Sequence, residues 1–322
     1  MKYRGPLIGF LMGTVYALIC AGVFTFAERH SLQTLEFVSI AMIVGTPITV
    51  GVITVLYGSV EQAGSRFYRL LYPWLSVFGW SVISLVFAWE TIICVVMLLP
   101  IYLPLASFGG AIGGYVRVNC CKKTERGVVS CFSVLPLVLG LAEIPINEPT
   151  LHNTVVTTVF IDAPIDKVWK SLPSVKDIRK EELPWTLSHF LGIPRPVSAI
   201  TEELKEGGVR DIWWEKGVHF QERITEIVEP ELLAYEVLAD QESMEVAELD
   251  THIVVGDQYF EVESGQYSLI KLDSGTQLTL RSSYRMTTNL NWYGKFWADW
   301  VLDDFHYSVL TLLRTRNEKH AN

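Results

Sequence analysis

The sequence predicts two parts of different fold class. The first is an all-α domain of membrane-spanning helices, and the second is an α+β domain in which a curved antiparallel sheet grips one long helix. Residues 1–146 are almost wholly apolar, whereas residues 151–322 contain 28 of the 35 acidic side chains and have the composition of a soluble domain. In the second part, strand-like segments precede a single long helical segment, as expected when a helix covers one face of a sheet.

Five segments of the first part have the composition of membrane spans, which need about 20 apolar residues each. The segments 6–27 and 35–57 contain only one charge between them, Glu36. The stretch 74–118 is long enough for two spans, which we expect at 74–95 and 98–118 with a turn between Glu90 and Pro104. A shorter segment at 128–145, which contains Pro136, is the fifth candidate.

The distribution of basic residues predicts the orientation, because Lys and Arg are retained on the cytoplasmic side of a membrane. They lie before the first span, between the second and third, and between the fourth and fifth, at Lys2, Arg4, Arg66, Arg69, Arg117, Lys122, Lys123 and Arg126. The loops on the opposite side contain only one lysine or arginine, Arg29. The N-terminus is therefore expected in the cytoplasm, and five spans would place the second domain outside it. If 128–145 were re-entrant, that domain would be cytoplasmic.

Composition also excludes several classes of function. The formal net charge is −9 and the acidic excess lies in the second part, so nucleic acid is not an expected partner. All five cysteines precede residue 147, which argues against a disulfide-stapled or thiol-dependent second domain. The sequence shows no metal-ligand spacing, phosphate loop, nucleophile elbow or dinucleotide fingerprint, so no metal or cofactor is predicted. It makes no prediction of oligomeric state.

The second part, 151–322, has a clear order of predicted elements. A strand at 154–161 is followed by a short helix at 165–172, and strands are then expected at 209–215, 218–228, 232–238, 259–272 and 276–287. The segment 291–316 has helical spacing, and its apolar stripe comprises Tyr293, Trp297, Val301, Phe305 and Leu312. We expect this stripe to pack on the sheet and to leave a cavity for a ligand.

These segments resemble the SRPBCC or helix-grip superfamily, which includes START lipid-transfer domains, polyketide cyclases and the birch-pollen allergen. The resemblance covers nearly all of 151–320 and is carried by VFIDAPIDKVW at 159–169, GVHFQERI at 217–224, PELLAY at 230–235 and GTQLTL at 275–280. The sequence WADWVLDDFH at 297–306 is similar to a bacterial membrane-attached branch. The resemblance implies a helix-grip fold, a hydrophobic cavity and a bacterial inner-membrane location, but no particular reaction.

Alternation along the strands predicts which side chains point toward the helix. Tyr284 shares the inner face of its strand with Leu278, Leu280, Ser282 and Met286. Glu222 shares a face with Phe220, Ile224 and Val228, so it must find a partner, titrate or face a wet cavity, unless a bulge turns it outward. Tyr267 is a further ligand-binding candidate. Trp213 and Trp214 point to opposite faces, and alternation leaves open which of them is inward.

The final helix and one loop supply the remaining candidates. Trp297 lies on the apolar stripe, whereas Asp299 and His306 share another sector with Asp303. Periodicity alone indicates that this sector is a solvated face, but the resemblance to the membrane-attached branch favours a role for Asp299 and His306. His252 lies in an acidic loop at 242–257 that could form a lid over the cavity.

Three functions remain open at this point. The leading hypothesis is a membrane-integral, non-catalytic binding module for a lipid or hydrophobic small molecule, with ligand contacts from Glu222, Tyr284, Trp213, Tyr267, Trp297, His252, Asp299 and His306. The first alternative is a cyclase or hydrolase that uses Glu222 with Tyr284 or His306 as acid and base. The second is an interaction or sensor protein that holds no ligand.

Overall fold

The structure is a computed structural model that describes residues 4–29, 41–120, 131–136, 138–139, 149–238 and 260–318. The chain divides into two compact units, Met1–Asn147 and Glu148–Asn322. Most of the predicted fifth span at 128–145 lies outside the described residues. The predicted lid loop at 242–257, which includes His252, lies wholly outside them.

The described part of the first unit is helical. Its helices are α1 (Arg4–Arg29), α2 (Thr46–Leu56, preceded by a π-helical turn at Ala41–Gly45), α3 (Val60–Gly64), α4 (Arg66–Val86) and α5 (Ile92–Asn119). Three helical segments are long and apolar enough to cross a membrane, namely Arg4–Val23, Arg66–Val86 and Ile92–Asn119. A shorter apolar segment, Ala41–Leu56, falls within the second predicted span.

The turn between α4 and α5 lies earlier than the sequence predicts. It comprises residues 87–91, and Ala88 within it adopts a positive φ of 52°. Pro100 and Pro104 lie inside α5 rather than in a turn. Proline is tolerated inside a helix in apolar surroundings when neighbouring helices satisfy the backbone groups that it frees, so a proline in an apolar run is a poor marker of a turn.

A few polar side chains are buried within the otherwise apolar core of the first unit, and large apolar side chains cover its described surface. Ser76 of α4 is buried with its hydroxyl group 2.8 Å from that of Thr54, and Tyr102 of α5 donates to the carbonyl oxygen of Met42 at 3.2 Å. The exposed side of α4 is apolar at helical spacing and comprises Phe67, Leu70, Leu75, Phe78, Val82 and Val86. A surface of large apolar side chains differs from that of a soluble helical domain.

Glycines allow α5 to approach α2 and α4 closely. A Cβ atom at Gly109 would lie 2.0 Å from the carbonyl oxygen of Ile48, and one at Gly110 would lie 2.0 Å from that of Arg69. Neither position accepts a side chain unless a backbone moves. Such close contacts are typical of helices that pack without a hydrophobic driving force.

The second unit is built on a seven-stranded antiparallel sheet in the order β1-β7-β6-β5-β4-β3-β2. The strands are β1 (Thr150–Ile161), β2 (Pro196–Thr201), β3 (Val209–Trp214), β4 (His219–Val228), β5 (Leu232–Leu238), β6 (Phe260–Leu272) and β7 (Gly275–Thr287). The first and last strands pair along their whole length, with Thr150 opposite Thr287 and Ile161 opposite Thr276. The six strand segments that the sequence predicts with bounds correspond to β1 and β3 to β7.

A long helix closes the second unit. Its described helices are α6 (Ile165–Ser171), α7 (Leu187–Phe190) and α8 (Asn291–Glu318). The curled antiparallel sheet with α8 fits the predicted helix-grip arrangement. The main hydrophobic core joins Leu278 and Leu280 of β7 to Trp169 of α6 and to Leu310 and Leu313 of α8.

Alternation predicts most of the inner face correctly. On β7 the buried side chains are Leu278, Leu280, Ser282, Tyr284 and Met286. On β4 the side chains of Phe220, Glu222 and Ile224 are buried as predicted, but Val228 is 45% exposed, so that prediction is wrong. A register shift between Ile224 and Glu226 in the pairing of β4 with β5 inverts the alternation beyond it.

Helix α8 buries a different stripe from the one that its apolar residues predict. Ala298, Leu302 and His306 are buried against the sheet, whereas the predicted stripe members Trp297 and Phe305 are only half-buried. The interpretation of the other sector as a solvated face is therefore wrong for His306. Hydrogen bonds from β1 and β7 satisfy the polar groups of this sector, and sequence periodicity carries no information about such partners.

Candidate functional site

A buried ion pair lies on the inner face of the sheet. Arg210 on β3 is directly opposite Glu222 on β4, and its Nη1 atom donates to Oε2 of Glu222 at 2.6 Å. The two side chains are only 3% and 9% exposed. A buried charge requires a partner, and each of these residues supplies the partner that the other needs.

The surroundings of this pair are aromatic on one side. The guanidinium carbon of Arg210 lies 5.1 Å from the ring centre of Tyr235, which packs against Tyr267 at 6.1 Å. Nη2 of Arg210 donates to the carbonyl oxygen of Leu172, at the end of α6, at 3.3 Å. The Nε atom of Arg210 is buried and has no hydrogen-bond partner in the described part of the chain. One donor of the guanidinium group is therefore unused.

The environment also changes the protonation behaviour of Glu222. Burial raises the pKa of its carboxyl group to about 7, against the opposing effect of Arg210. A carboxyl group with such a pKa can accept or release a proton near neutral pH. The sequence predicts that Glu222 faces inward, and the structure adds the cation that lies beside it.

A second polar cluster joins the sheet to the first half of α8. Oδ1 of Asp299 accepts hydrogen bonds from the Tyr284 hydroxyl group and from the Asn153 side chain, both at 2.7 Å, and Oδ2 pairs with Lys295. Burial opposes ionisation of Asp299, but the bonds from Lys295 and Tyr284 outweigh it and lower the pKa of this carboxyl group. Burial and the bond to Asp299 raise the pKa of Tyr284 above its ordinary value.

An open groove lies beside this cluster, between β1 and α8. Its volume is about 450 Å³, and it is lined by Asn153, Thr154, Val155, Lys295, Phe296, Asp299, Trp300 and Asp303. The groove combines two aromatic rings with one basic and two acidic side chains. It therefore offers contacts for both an apolar and a polar part of a molecule.

A third cluster leads from the surface to the interior through His306, which is fully buried. Thr157 donates to Oδ1 of Asp303 at 2.8 Å, so its oxygen accepts from Nδ1 of His306 at 3.0 Å. Nε2 of His306 must then accept from the hydroxyl group of Ser282, at 2.8 Å. Hydroxyl-to-imidazole contacts occur in nucleophile–base pairs. Here burial lowers the pKa of His306 to about 4, with Asp303 opposing, so the imidazole is neutral and a weak base.

The enzyme hypothesis pairs Glu222 with Tyr284 or with His306 as acid and base, but no hydrogen bond joins Glu222 to either of them. Glu222 is bonded to Arg210, Tyr284 to Asp299, and His306 to Ser282 and Thr157. The described residues also contain no group of three or more His, Cys, Asp or Glu side chains that could hold a metal ion.

The aromatic candidates lie in different environments. Trp213 is 44% exposed and stacks on His219 with ring centres 4.1 Å apart, so it is on the outer face. Trp214 is the inward member of the pair and contacts Phe305 of α8 at 5.2 Å. Tyr267 is buried in the main core, and Trp297 lies half-buried among the aromatic rings of α8. His252 lies outside the described residues.

Sequence reasoning missed Arg210, the partner of Glu222. The sequence could have indicated it, because alternation places Arg210 on the same face of β3 as Ile212 and Trp214. An arginine on that face requires a buried acid, and Glu222 is in the same position on the neighbouring strand. Asn153 and Lys295 were also missed, because their shared contact with Asp299 depends on how α8 crosses β1.

No protein-family model matches the sequence, and no curated protein matches it. Among solved structures, a protein of unknown function from Staphylococcus aureus is 16% identical, with 52% of this chain and 96% of that one covered and a TM-score of 0.33. The di-domain ARO/CYC BexL of the BE-7585A biosynthetic pathway is 13% identical, with coverages of 60% and 58% and a TM-score of 0.36. A Thalictrum norcoclaurine synthase is 10% identical, with coverages of 54% and 99% and a TM-score of 0.33. Likenesses at this level assign neither a family nor an activity to the chain.

Proposed function

We propose that this protein is a membrane-tethered binding module. Its second unit holds a hydrophobic or amphipathic small molecule, such as a lipid, against the inner face of the sheet, and Arg210 and Glu222 contact the polar part of that molecule. The observation that carries the proposal is the buried ion pair with an unused donor, Nε of Arg210, on the inner face beside Tyr235 and Tyr267.

The energetic argument starts from the cost of burial. A buried donor without a partner costs about 1–3 kcal/mol, and a fully paired apolar core would avoid this cost. An occupant with a hydroxyl or carbonyl group would offset it by accepting from Nε of Arg210. An aliphatic remainder would find apolar contacts with the neighbouring side chains of the inner face.

Other unused polar atoms support the same proposal. Within the described residues, three further buried side-chain atoms of the second unit lack a hydrogen-bond partner: Nε2 of His189, Nε1 of Trp214 and Oγ of Ser308. Helices α7 and α8 are joined by a hydrogen bond from the Ser188 amide to Asp304 at 2.8 Å, and Trp214 contacts α8 through Phe305. These contacts bring the unused nitrogen atoms of His189 and Trp214 to the side of α8 that faces α7 and β3.

The membrane tether is supported by the first unit. Its described residues include three helices of sufficient length and apolar character, and their outward-facing side chains include many large apolar ones. We propose the orientation that the basic residues predict, with the N-terminus in the cytoplasm of a bacterium and the second unit outside. Reporter fusions at residue 322 would test it: active alkaline phosphatase is expected, and an active cytoplasmic reporter instead would contradict five spans.

Native mass spectrometry of the full chain tests ligand binding. We expect a small molecule that co-purifies with the detergent-solubilised protein and is removed by delipidation. The double variant Arg210→Met/Glu222→Leu should lose this species, since it removes both polar contacts while keeping the face filled. Molecules attached to the first unit should remain in both proteins.

An outer-face ion pair provides the matched control. Arg223, next to Glu222 in sequence, pairs with Glu236 at 2.8 Å, and both side chains are about half exposed. The variant Arg223→Met/Glu236→Leu should keep the bound species. If wild type carries no bound molecule after mild purification, or if the inner and outer variants behave alike, the proposal is wrong.

A further inference from the structure

The second unit carries exposed aromatic side chains at one end of its sheet, where β1 begins and β7 ends. This end is called the aromatic edge below, and the other end of the strands is called the opposite edge. Trp292 is 72% exposed and Phe296 is 63% exposed, both on the first two turns of α8. They belong to a continuous series of ring contacts with centre distances of 5.5–6.3 Å, formed by Trp292, Tyr293, Phe296, Trp297 and Trp300. Large exposed aromatic residues in a group indicate a binding surface rather than a random surface composition.

This aromatic edge is also where the chain enters the unit. The side chain of Asn291, the residue before Trp292, donates a hydrogen bond to the carbonyl oxygen of Pro149, and Thr150 of β1 pairs with Thr287 at the end of β7. Nine residues, 140–148, lie between Leu139, the last described residue of the first unit, and Pro149. The chain that follows the helical unit therefore enters the second unit at this edge.

Strand directions place Trp213 at the same edge. Each neighbouring pair in the sheet is antiparallel, so β3 ends where β1 begins, and Trp213 is 44% exposed near that end. The opposite edge, where β6 turns into β7, carries the exposed aliphatic side chains Ile270 and Leu272 and one exposed aromatic side chain, Phe160 at the end of β1. Of the exposed tryptophans in the described part of the second unit, Trp213 and Trp292 are thus at the aromatic edge, whereas Trp185 lies in the segment before α7.

We propose that this aromatic edge docks on the surface of the bilayer that holds the first unit. Tryptophan and tyrosine favour the interface between lipid and water, because their rings are apolar but carry a polar atom. Docking would turn the groove between β1 and α8, which Phe296 and Trp300 line, toward the lipid surface. The inference rests on the proposed membrane tether and extends it by naming the face that contacts lipid.

The contact is aromatic rather than electrostatic. Lys295, the one basic side chain lining the groove, already pairs with Asp299. Residues 151–322 contain 28 acidic and 17 basic side chains. This net negative charge disfavours anionic lipid, so docking should not require it.

Nitroxide labels on the full chain test the proposal. Phe296→Cys and Ile270→Cys are introduced separately into a variant without native cysteines, with Trp292→Cys as a second site at the docking edge. Each protein is reconstituted in vesicles of phosphatidylcholine, with and without phosphatidylglycerol. The accessibility of the label to oxygen, which enters lipid, is compared with that to a water-soluble nickel chelate.

We expect labels at positions 296 and 292 to show a severalfold higher ratio of oxygen to nickel accessibility than the label at 270, in both lipid mixtures. Equal ratios at both edges would overturn the proposal, as would shielding of 296 and 292 from both reagents. A difference seen only with phosphatidylglycerol would overturn the aromatic contact. Resistance of the protein to carbonate extraction tests the tether separately, so a failure of docking is distinguishable from a failure of membrane insertion.

Discussion

The hydroxyl group of Tyr284 lies 2.7 Å from Oδ1 of Asp299, and this contact joins the inner face of β7 to the first half of α8. Asn153 of β1 donates to the same oxygen at 2.7 Å, so one carboxylate connects two strands to the helix. The Tyr284 side chain is fully buried, which keeps water from competing for this bond.

Tyr284→Phe should loosen α8 without unfolding the unit. Asp299 keeps its bonds to Asn153 and Lys295, so the expected loss is that of the bond to Asp299 and of the longer bond, 3.3 Å, that the Tyr284 hydroxyl group accepts from Asn153. Together these are worth about 1–2 kcal/mol. Hydrogen–deuterium exchange of the full chain in detergent should show faster exchange in the first half of α8. Tyr307→Phe is the control, because Tyr307 lies on the same helix and is 53% exposed. Unchanged exchange in Tyr284→Phe would mean that this bond does not hold the helix.

Replacing the buried ion pair should be far less harmful than breaking it. Arg210→Met leaves the Glu222 carboxylate buried without its cation, and loss of one partner of a buried pair costs about 3–5 kcal/mol. Arg210→Met/Glu222→Leu removes both charges and should recover most of that loss. Urea unfolding of the full chain in detergent gives the comparison. If the double variant is no more stable than Arg210→Met, the two charges do not compensate each other in the folded protein.

The arrangement of these groups could be predicted only in part. Alternation identified Glu222 and Tyr284 as inward because burial on one face of a strand repeats every second residue. Alternation failed at Val228, because a register shift between Ile224 and Glu226 changes which residues face inward beyond it. No residue in the sequence predicts that shift. Alternation along a single strand says nothing of partners on other elements, so the ion pair with Arg210 required the strand register.

The final helix shows a different limit. Its element type and bounds could be predicted from spacing, since 291–316 lies within the observed Asn291–Glu318. Its buried stripe could not, because hydropathy treats His306 and Asp299 as polar wherever they lie. Hydrogen bonds with Ser282 and Thr157 make the burial of His306 favourable, and a bond from Tyr284 holds the partly exposed Asp299. Such bonds depend on how the helix crosses the sheet.

His306 should make the protein less stable in mild acid. Its pKa is lowered to about 4 in the folded state, whereas an unfolded histidine titrates near its ordinary value of 6.5. Between these values the unfolded chain binds a proton that the folded chain does not, so stability falls as pH falls from about 6.5 to 4. The full effect is on the order of 3 kcal/mol.

Comparing wild type with His306→Gln isolates the contribution of His306 to the pH dependence of stability. The comparison is needed because other buried groups titrate in the same range. Burial lowers the pKa of His189, which adds to the effect, whereas the raised pKa of Glu222 acts in the opposite direction. His306→Gln keeps a polar side chain and removes the titration, so its urea midpoint should fall less between pH 6.5 and 4.5 than that of wild type. His152→Gln alters an exposed histidine and should follow wild type. Parallel pH profiles for wild type and His306→Gln would contradict the assignment.

Gly109→Leu should prevent assembly of the helical unit. Any Cβ atom at this position would lie 2.0 Å from the carbonyl oxygen of Ile48, and a leucine side chain would push α5 away from α2. Gly22→Leu is the matched control, because a Cβ atom at Gly22 meets no other atom within 4 Å. Size-exclusion chromatography of detergent-solubilised protein should show aggregation or loss of Gly109→Leu and a monodisperse peak for Gly22→Leu. A monodisperse and equally heat-stable Gly109→Leu protein would show that α2 and α5 do not require this close approach.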